Sequence, residues 1–309
     1  MSLRTSQPFV GPIDGFSNQE IVTSLRGTLL PSEGTSDEQC SIAFVPKGMV
    51  TEEPLQIEIT EKQSRLLVVI QEGAQAQVHI QLLSDGDDAL HTTEIFVEDD
   101  AELNLLFFQA SDAPSLTIRQ RSSIGANAKL HLQNVSLGSG ELEHNLLSDV
   151  NGAKSESSVD WLFYSKDQEK QIINARNAFH AREGEGEIVM KGVAEGKAHS
   201  VCMGMIDIDL NGGGTDTYLT EDVLMLDKTA KVDAIPGLEI KTNDVKASHS
   251  ATVSKVTLED LFYFASRGIS EGDAREMYVL GFLGDLTNRI VHKSEREVVM
   301  EAIERKYRN

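Results

Sequence analysis

The amino-acid sequence predicts a mainly β protein, a parallel β-helix of stacked coils followed by a C-terminal α-helical module. Three observations support this fold class. From residue 65 onward, short strand-like runs follow one another, and apolar and polar residues often alternate within them. A turn residue followed by alanine recurs at Ala74, Ala101, Ala126 and Ala153, in steps of 27, 25 and 27 residues, and such a steady step is typical of a solenoid. After Val256 the apolar period becomes helical.

The first predicted unit, residues 1–64, is a mixed N-terminal segment. Residues 17–20 read SNQE, a capping-box pattern that predicts a short helix at residues 21–25. Residues 41–44 and 55–59 have strand patterns instead. This segment is therefore expected to lead into the β-helix.

The second unit, residues 65–256, is predicted to be the β-helix core. Strand patterns occupy residues 66–70, 77–82, 93–97, 103–108, 116–120 and 129–132, and later 158–164, 187–191, 200–210, 216–220, 223–226, 238–241 and 244–256. Helical and leucine-rich repeats would show an apolar period of 3.6 residues in each unit, and this region shows almost none. A β-sandwich with a coincidental spacing is the alternative, and the pattern favours stacked β coils over it.

The third unit, residues 257–309, is predicted to be a helical module. Thr257 begins a capping-box-like pattern and Gly268 is expected to end the first helix, while Ser270 and Ser294 are expected to begin the next two. The predicted apolar faces consist of Leu258, Leu261, Phe262 and Ala265 in the first helix, of Ala274, Met277, Tyr278, Gly281 and Phe282 in the second, and of Val298, Ala302 and Ile303 in the third.

The composition excludes several classes of function. The formal net charge is −21 and the sequence pI is about 4.7, so nucleic acids and anionic membranes are not expected as partners. Two cysteines, Cys40 and Cys202, form no CxxC, zinc or disulfide pattern. The N-terminus has no secretory signal pattern and no apolar run approaches the length of a membrane span, so a reducing cytoplasm is the expected location.

The charge is unevenly distributed along the chain. Residues 269–309 contain 7 Lys and Arg and 8 Asp and Glu, a net charge of −1, which leaves −20 for the other 268 residues. The helical module is therefore a different kind of surface from the body, and near-neutral surfaces suit contacts between proteins.

Several separated motifs, in matching order, resemble the SufB/SufD family. They read PGLEI at residues 236–240, NDVKASHSAT at 243–252, LFY at 261–263, SRGI at 266–269 and GF at 281–282. The segment from Lys191-Gly192 to Gly204-Met205-Ile206 also looks like the central strands of that family. The resemblance is strong from about Asn174 to Ile290, and upstream only the coil pattern agrees.

The resemblance implies a right-handed parallel β-helix that acts as a non-catalytic scaffold subunit in iron–sulfur cluster assembly. It also implies a SufC-type ATPase bound by the C-terminal helices, and pairing with a SufB/SufD-type subunit or with a second copy as a homodimer. A cluster would be built at the interface of the two β-helices, so a transient iron–sulfur cluster is expected rather than a permanent cofactor.

Two departures from the family pattern concern chemistry. D-type members commonly have a Cys two residues before the His that corresponds to His249, and this chain has Ala247 there. B-type members carry an essential Cys in the strand that aligns with residues 220–222, where this chain has Glu221, and their Glu-His-Glu sequence is replaced by Ser248-His249-Ser250. The chain lacks the expected thiols and is closer to the D-type, supporting role.

His249 is the first candidate ligand for a cluster or iron. It has the same parity as Val245, Ala247, Ala251 and Val253, the apolar face of its predicted strand, where a His needs a hydrogen-bond partner or a metal. A satisfied interior histidine is the alternative interpretation from the residues alone. The resemblance favours the ligand, because this His aligns with the one proposed to help hold the nascent cluster.

Glu221 and Cys202 are weaker candidates. Glu221 is a hard ligand, poorly suited to replace thiolate on a cluster, and is expected to be a solvated or hydrogen-bonded strand residue or an aid to iron entry. Cys202 shares parity with Gly204, Ile206 and Ile208, which predicts an inert core thiol.

The predicted partner-binding surface lies on the helical module. It consists of Phe262, Tyr263, Arg267, Gly268, Ile269, Tyr278 and Phe282, a mixture of aromatic and Arg side chains that is typical of protein interfaces. The alternative is that these aromatic side chains pack the three helices together.

Two other functions are compatible with a β-helix. A carbohydrate-active enzyme would need clustered acidic or basic residues and often secretion, and this acidic chain would repel an acidic polysaccharide. A self-polymerising structural solenoid would need open β ends, whereas the C-terminal helices suggest a cap or docking unit.

Overall fold

A computed structural model gives the structure of the chain and describes residues 9–12, 39–84 and 86–309. The predicted helix at residues 21–25 and its capping box lie outside the described residues. The described residues form two long sheets followed by three helices. The predicted parallel β-helix with a C-terminal helical module is confirmed.

The strands of the two sheets alternate along the chain. The ten-stranded sheet contains β1 (Phe9–Pro12), β2 (Gln39–Val45), β4 (Gln63–Ile70), β6 (Ala89–Val97), β8 (Ser115–Ile124), β10 (Glu141–Val150), β12 (Lys170–Phe179), β14 (His199–Ile208), β16 (Lys231–Ala234) and β17 (Gly237–Ile240). The eight-stranded sheet contains β3 (Leu55–Ile59), β5 (Gln75–Leu82), β7 (Glu102–Gln109), β9 (Lys129–Ser136), β11 (Glu156–Ser165), β13 (Glu185–Ala194), β15 (Thr215–Met225) and β18 (Val245–Lys255).

Each coil adds one strand to each sheet, and every pairing after β1–β2 is parallel. Leu66 pairs with Thr93, and Thr93 pairs with Gln120, so successive coils repeat every 27 residues in this part of the solenoid. Parallel pairing begins with β2 and β4, upstream of the predicted boundary at residue 64. The first coil therefore includes residues that the sequence placed in the N-terminal segment.

The inward side chains of both sheets form one core along the solenoid. Trp161, Phe107 and Phe163 are among its largest fully buried members. The strands alternate between this core and the outer face, as in β8, where every second residue is buried. Burial of the inward stripe of each coil against the next explains why the fold needs many coils.

A ladder of left-handed residues forms one corner of the solenoid. Gly73, Asp100, Asn127, Lys154 and Glu183 all have φ between 55° and 67°. Each is followed by a buried or tightly packed small residue: Ala74, Ala101, Ala128, Ser155 and Gly184.

Two of the four periodic alanines do not occupy the corner position of this ladder. Ala74 and Ala101 occupy the buried corner position, but Ala126 and Ala153 do not, since Ala128 and Ser155 occupy it in their coils. The amide of Lys129 donates to Ala101 and the amide of Glu156 to Ala128, which fixes this alignment. In these two coils the corner residue lies two positions after the periodic alanine. A shift of two residues leaves the same side chains facing inward, so the alternation of apolar and polar residues did not reveal this shift.

The three helices begin and end close to the predicted positions: α1 (Leu258–Ala265), α2 (Glu271–Thr287) and α3 (Lys293–Arg308). Thr257 and Asp260 form the predicted capping box of α1, and the Ser270 hydroxyl accepts from the Asp273 amide at the start of α2. Helix α3 begins at Lys293 instead of Ser294, and its N-cap His292 makes no side-chain capping bond.

Helices α2 and α3 cover the outer face of the eight-stranded sheet. Leu106, Leu162 and Val189 on that face pack with Leu283 of α2 and Ile303 of α3 in a second apolar cluster. Strands β7, β11 and β13 are therefore buried on both faces over part of their length, which explains the apolar runs at residues 105–108, 161–164 and 188–190.

Candidate functional site

The C-terminal end of the solenoid is formed by β18, the last strand of the eight-stranded sheet. It pairs along its whole length with β15 and, among the described strands, presents its other edge unpaired. Most of its side chains are exposed, unlike those of every interior strand. An exposed edge of eleven residues is a template for pairing with another chain.

His249 lies on this terminal strand, directly beside Leu219 of β15. Leu219 belongs to the solenoid core, and Ala247, two residues before His249 in β18, packs against that core. His249 therefore occupies an inward position of its strand. His249 is nevertheless exposed, because none of the described strands stacks on the outer side of β18. It is not the satisfied interior histidine that the strand pattern also allowed.

Glu221 lies one strand inside, paired with Ala251 of β18 and with Met190 of β13. Its side chain is fully buried, and its Oε1 accepts the amide of Gly204 at 2.6 Å. Burial raises the pKa of this carboxyl to about 7, against the smaller opposite effect of the Gly204 hydrogen bond. Glu221 is therefore a hydrogen-bonded interior residue and not a solvated one.

Cys202 lies inside the solenoid on β14, as the strand parity predicted. Burial, and secondly the nearby Glu221 carboxylate, raise the pKa of its thiol to about 12. The thiolate is thus strongly disfavoured at neutral pH, and the predicted core position of this thiol is confirmed. Cys40 belongs to β2.

The two other histidines near this end are hydrogen-bonded to aspartate side chains. The Nδ1 of His180 lies 2.6 Å from Asp209, and the Nε2 of His199 lies 2.9 Å from Asp233. In the part of the chain that the structure describes, no three His, Cys, Asp or Glu side chains are grouped as a metal site. Any cluster ligation by His249 would therefore need ligands from outside this set.

Helix α1 presents an apolar face to solvent. Leu258, Phe262 and Tyr263 are 86%, 73% and 56% exposed, and Met277 of the neighbouring helix α2 is 51% exposed. Of the predicted apolar stripe of α1, Leu261 alone is buried. The stripe exists, but most of it faces away from the protein, which marks an interaction surface.

The remaining predicted partner-binding residues divide into two groups. Arg267 is exposed and stacks its guanidinium over the Tyr263 ring at 5.0 Å. Tyr278 and Phe282 are half-buried, with the Tyr278 ring 5.5 Å from that of Phe264 and the Phe282 ring 5.5 Å from the Lys191 ammonium. These two aromatic side chains pack the module together.

The turn after α1 holds the last two predicted residues. Gly268 has a φ of 79°, the left-handed conformation that favours glycine, and is exposed. Ile269 is half-buried. Both lie in the short connection from α1 to α2.

The sequence did not identify the clamp that fixes the module to the solenoid. Arg289, after α2, donates to the buried Asp160 at 2.9 Å and to Glu187 at 2.6 Å, while His131 approaches Asp160 at 2.9 Å. A second contact joins Lys306 of α3 to Glu169 at 2.7 Å. No local motif reveals these pairs, because their members are between 29 and 137 positions apart.

The solenoid thus has an open terminal strand and an apolar helix face, two kinds of surface that often bind other proteins. Residues 55–282 match the family described as SUF system FeS cluster assembly, SufBD core domain. The chain belongs to this family, and the predicted SufB/SufD resemblance is confirmed.

Curated relatives agree with this assignment. The chain is 30% identical over 169 residues to the iron–sulfur cluster assembly protein SufD of Escherichia coli (strain K12), covering 54% of this chain and 40% of that protein. It is 31% identical over 251 residues to an iron–sulfur cluster assembly SufBD family protein of Mycobacterium bovis, covering 77% and 62%. A Staphylococcus epidermidis SufBD family protein is 29% identical over 265 residues, covering 81% and 56%.

The chain thus spans between 40% and 64% of the length of these and similar relatives. Among the described helices, none combines the length and the hydropathy that crossing a membrane requires.

Proposed function

We propose that this chain is a non-catalytic scaffold subunit of the SUF iron–sulfur cluster assembly complex. In this role its helical module docks a SufC-type ATPase, and its terminal strand pairs with a SufB/SufD-type subunit or with a second copy. Membership of the SufBD family supports a role in the SUF system. The proposals for ATPase docking and for subunit pairing are supported by two exposed surfaces of the chain.

The exposed face of α1 carries the docking proposal. Leu258, Phe262 and Tyr263 of α1 and Met277 of α2 lie in solvent there. They are next to Arg267, on a module whose net charge is near zero. Aromatic and Arg side chains contribute most of the binding energy at many interfaces. An apolar face of this kind on a helix that also packs against α2 fits a protein partner.

The edge of β18 supports the pairing proposal. Its eleven residues are flat enough to pair continuously with β15, and the opposite edge has no partner among the described strands. Docking of a second β-helix against this end would enclose His249, which is now exposed. His249 would then serve as a ligand of a transient cluster, together with ligands from the second subunit.

Co-purification with the SufC-type ATPase of the same organism tests the docking proposal. We expect a stable complex with the wild type, and at least about tenfold weaker binding of the ATPase by the Phe262→Ala/Tyr263→Ala variant. The matched control, Val291→Ala/Val298→Ala, shortens two other exposed apolar side chains of the module and should bind normally. Equal binding by both variants, or no complex with the wild type, would contradict the proposal.

A further inference from the structure

The outer face of the ten-stranded sheet contains a groove that the proposed function does not use. It crosses β8, β10, β12 and β14, on the opposite side of the solenoid from the helical module. Its volume is about 530 Å³, and Arg119, Arg121, Leu147, Arg176, Met203 and Met205 line it. This groove is distinct from both the β18 edge and the α1 face.

The centre of the groove contains cationic side chains and no acidic ones. Two rows of outward side chains run across the four strands there, and the registered pairs Arg121–Leu147 and Leu147–Arg176 define the second row. Four carboxylates lie at its margins: Glu143, Asp149 and Asp207, and Glu94, which is in register with Arg121 and pairs with Arg65. Such a concentration of Arg is unexpected on a chain with 49 acidic and 28 basic residues.

The marginal carboxylates hold the arginines in place. Arg121 pairs with Asp149 at 2.8 Å, and Arg176 pairs with Asp207. In the first row, which also contains Arg119 and Met203, the side-chain Nδ2 of Asn174 donates to the Oδ1 of Asn145 at 2.7 Å. The guanidinium groups are therefore oriented before a ligand arrives, which lowers the entropic cost of binding.

The combination of Arg with Met is typical of the centre of protein interfaces. Met and Arg are enriched there, whereas Lys, Glu and Asp are depleted. Met203 and Met205 are half-buried and lie next to the exposed Ile235, so the groove also offers an apolar floor. Flexible Met side chains adapt to an incoming surface.

We infer that this groove is a docking site for an acidic segment of a partner protein, one that places carboxylates on the arginines and apolar side chains on the methionines. Charge complementarity selects this occupant. The rest of the chain is strongly acidic, and a segment rich in carboxylates would be repelled elsewhere on its surface.

Fluorescence polarisation with the full chain tests the inference. The probe is a labelled peptide of about ten residues with alternating Glu and Leu, and a peptide of alternating Lys and Leu is its control. We expect the acidic peptide to bind and the basic peptide not to bind. The Arg119→Ala/Arg176→Ala variant should weaken binding of the acidic peptide by about tenfold or more.

A matched variant separates the groove from net charge. Lys129→Ala/Lys154→Ala removes the same two positive charges from exposed positions on other surfaces and should bind within about twofold of the wild type. Because loss of Arg176 leaves Asp207 without its partner, Met203→Glu provides a second test that preserves both ion pairs. It should weaken binding to a similar extent.

Three outcomes would overturn the inference. Equal losses of acidic-peptide binding in the Arg and Lys double variants would show that net charge alone causes the effect. Equal binding of the acidic and basic peptides would leave an apolar surface without charge selection. Self-association of the chain that Met203→Glu abolishes, without binding of the acidic peptide, would assign the groove to a second copy.

Discussion

At the scale of the residue, Glu221 is a carboxyl enclosed in the solenoid one strand from its open end. Its pKa is raised from 4.5 to about 7 by burial. Below about pH 4.5 both folded and unfolded states hold the proton. As pH rises from 4.5 towards 7, the unfolded chain loses this proton before the folded chain does. The folded state therefore becomes less stable over this range, by up to about 3 kcal/mol, and the loss stays constant above the folded pKa.

Glu221→Gln should remove this part of the pH dependence. The amide oxygen of Gln retains an acceptor for the Gly204 amide, and no charge is buried at high pH. We expect the urea midpoint of the variant to fall less than that of the wild type between about pH 5 and about pH 8. Asp222→Asn, on the outer side of the same strand, is the control and should follow the wild type. Parallel curves for wild type and Glu221→Gln would contradict the assignment.

Strand parity predicted which face of the solenoid each candidate residue occupies, but not its exposure. Cys202 and His249 both belong to inward positions of their strands, and the structure agrees. Cys202 is buried, because β14 lies between β12 and the short strands β16 and β17. His249 is exposed, because β18 is the last strand of its sheet. The number of coils that follow a residue is a property of the whole chain, which no local pattern contains.

At the scale of the element, the left-handed corners are positions where the chain departs from the conformations that most side chains prefer. Lys154 adopts φ of 61° there, at a cost of roughly 1–2 kcal/mol for a residue with a Cβ. Glycine relieves this strain but loses more entropy on folding, roughly 0.5–1 kcal/mol. Lys154→Gly should therefore stabilise the solenoid slightly, by about 0.5–1 kcal/mol.

Lys129 offers a closely matched control for this substitution. It is similarly exposed and has a similar weak pair with a Glu one coil on, at 3.6 Å compared with 3.8 Å for Lys154 and Glu183. It begins strand β9 in extended conformation, so Lys129→Gly should destabilise by roughly 0.5–1 kcal/mol. Urea midpoints of the two variants should move in opposite directions, and movement in the same direction would contradict the strain argument.

Among the described strands, β1, β10, β12 and β16 were not predicted from the sequence, and the two long ones, β10 and β12, have polar residues at inward positions. His144 and Ser148 interrupt the apolar face of β10, and Gln171 and Asn177 interrupt that of β12. All four side chains are fully buried. Most other strands were predicted from their alternation, since a solenoid core of stacked aliphatic side chains produces that signal directly.

At the scale of the whole molecule, the acidic body and the near-neutral module separate two surfaces of different chemistry. Composition along the chain predicted this separation, and the periodicity change after Val256 predicted where it lies. The way the module attaches was not predictable, since Arg289 reaches Asp160 from 129 positions away. The clamp directs α2 and α3 onto the eight-stranded sheet and leaves the apolar face of α1 and the edge of β18 both accessible.

The open end of the solenoid gives the last prediction. If β18 pairs with a second subunit, His249 moves from solvent into an interface, where its neutral imidazole is able to bind iron. Anaerobic reconstitution of the paired subunits with iron and sulfide should therefore load less cluster on His249→Ala than on the wild type, by about threefold or more. Loss even of a group that only hydrogen-bonds to a ligand often weakens metal binding about tenfold, and loss of a direct ligand should cost at least as much. His199→Ala, which removes a histidine held by Asp233, is the control and should load normally. Equal cluster content in wild type and His249→Ala, measured by absorbance and iron analysis, would leave pairing at β18 intact and exclude this residue as a ligand.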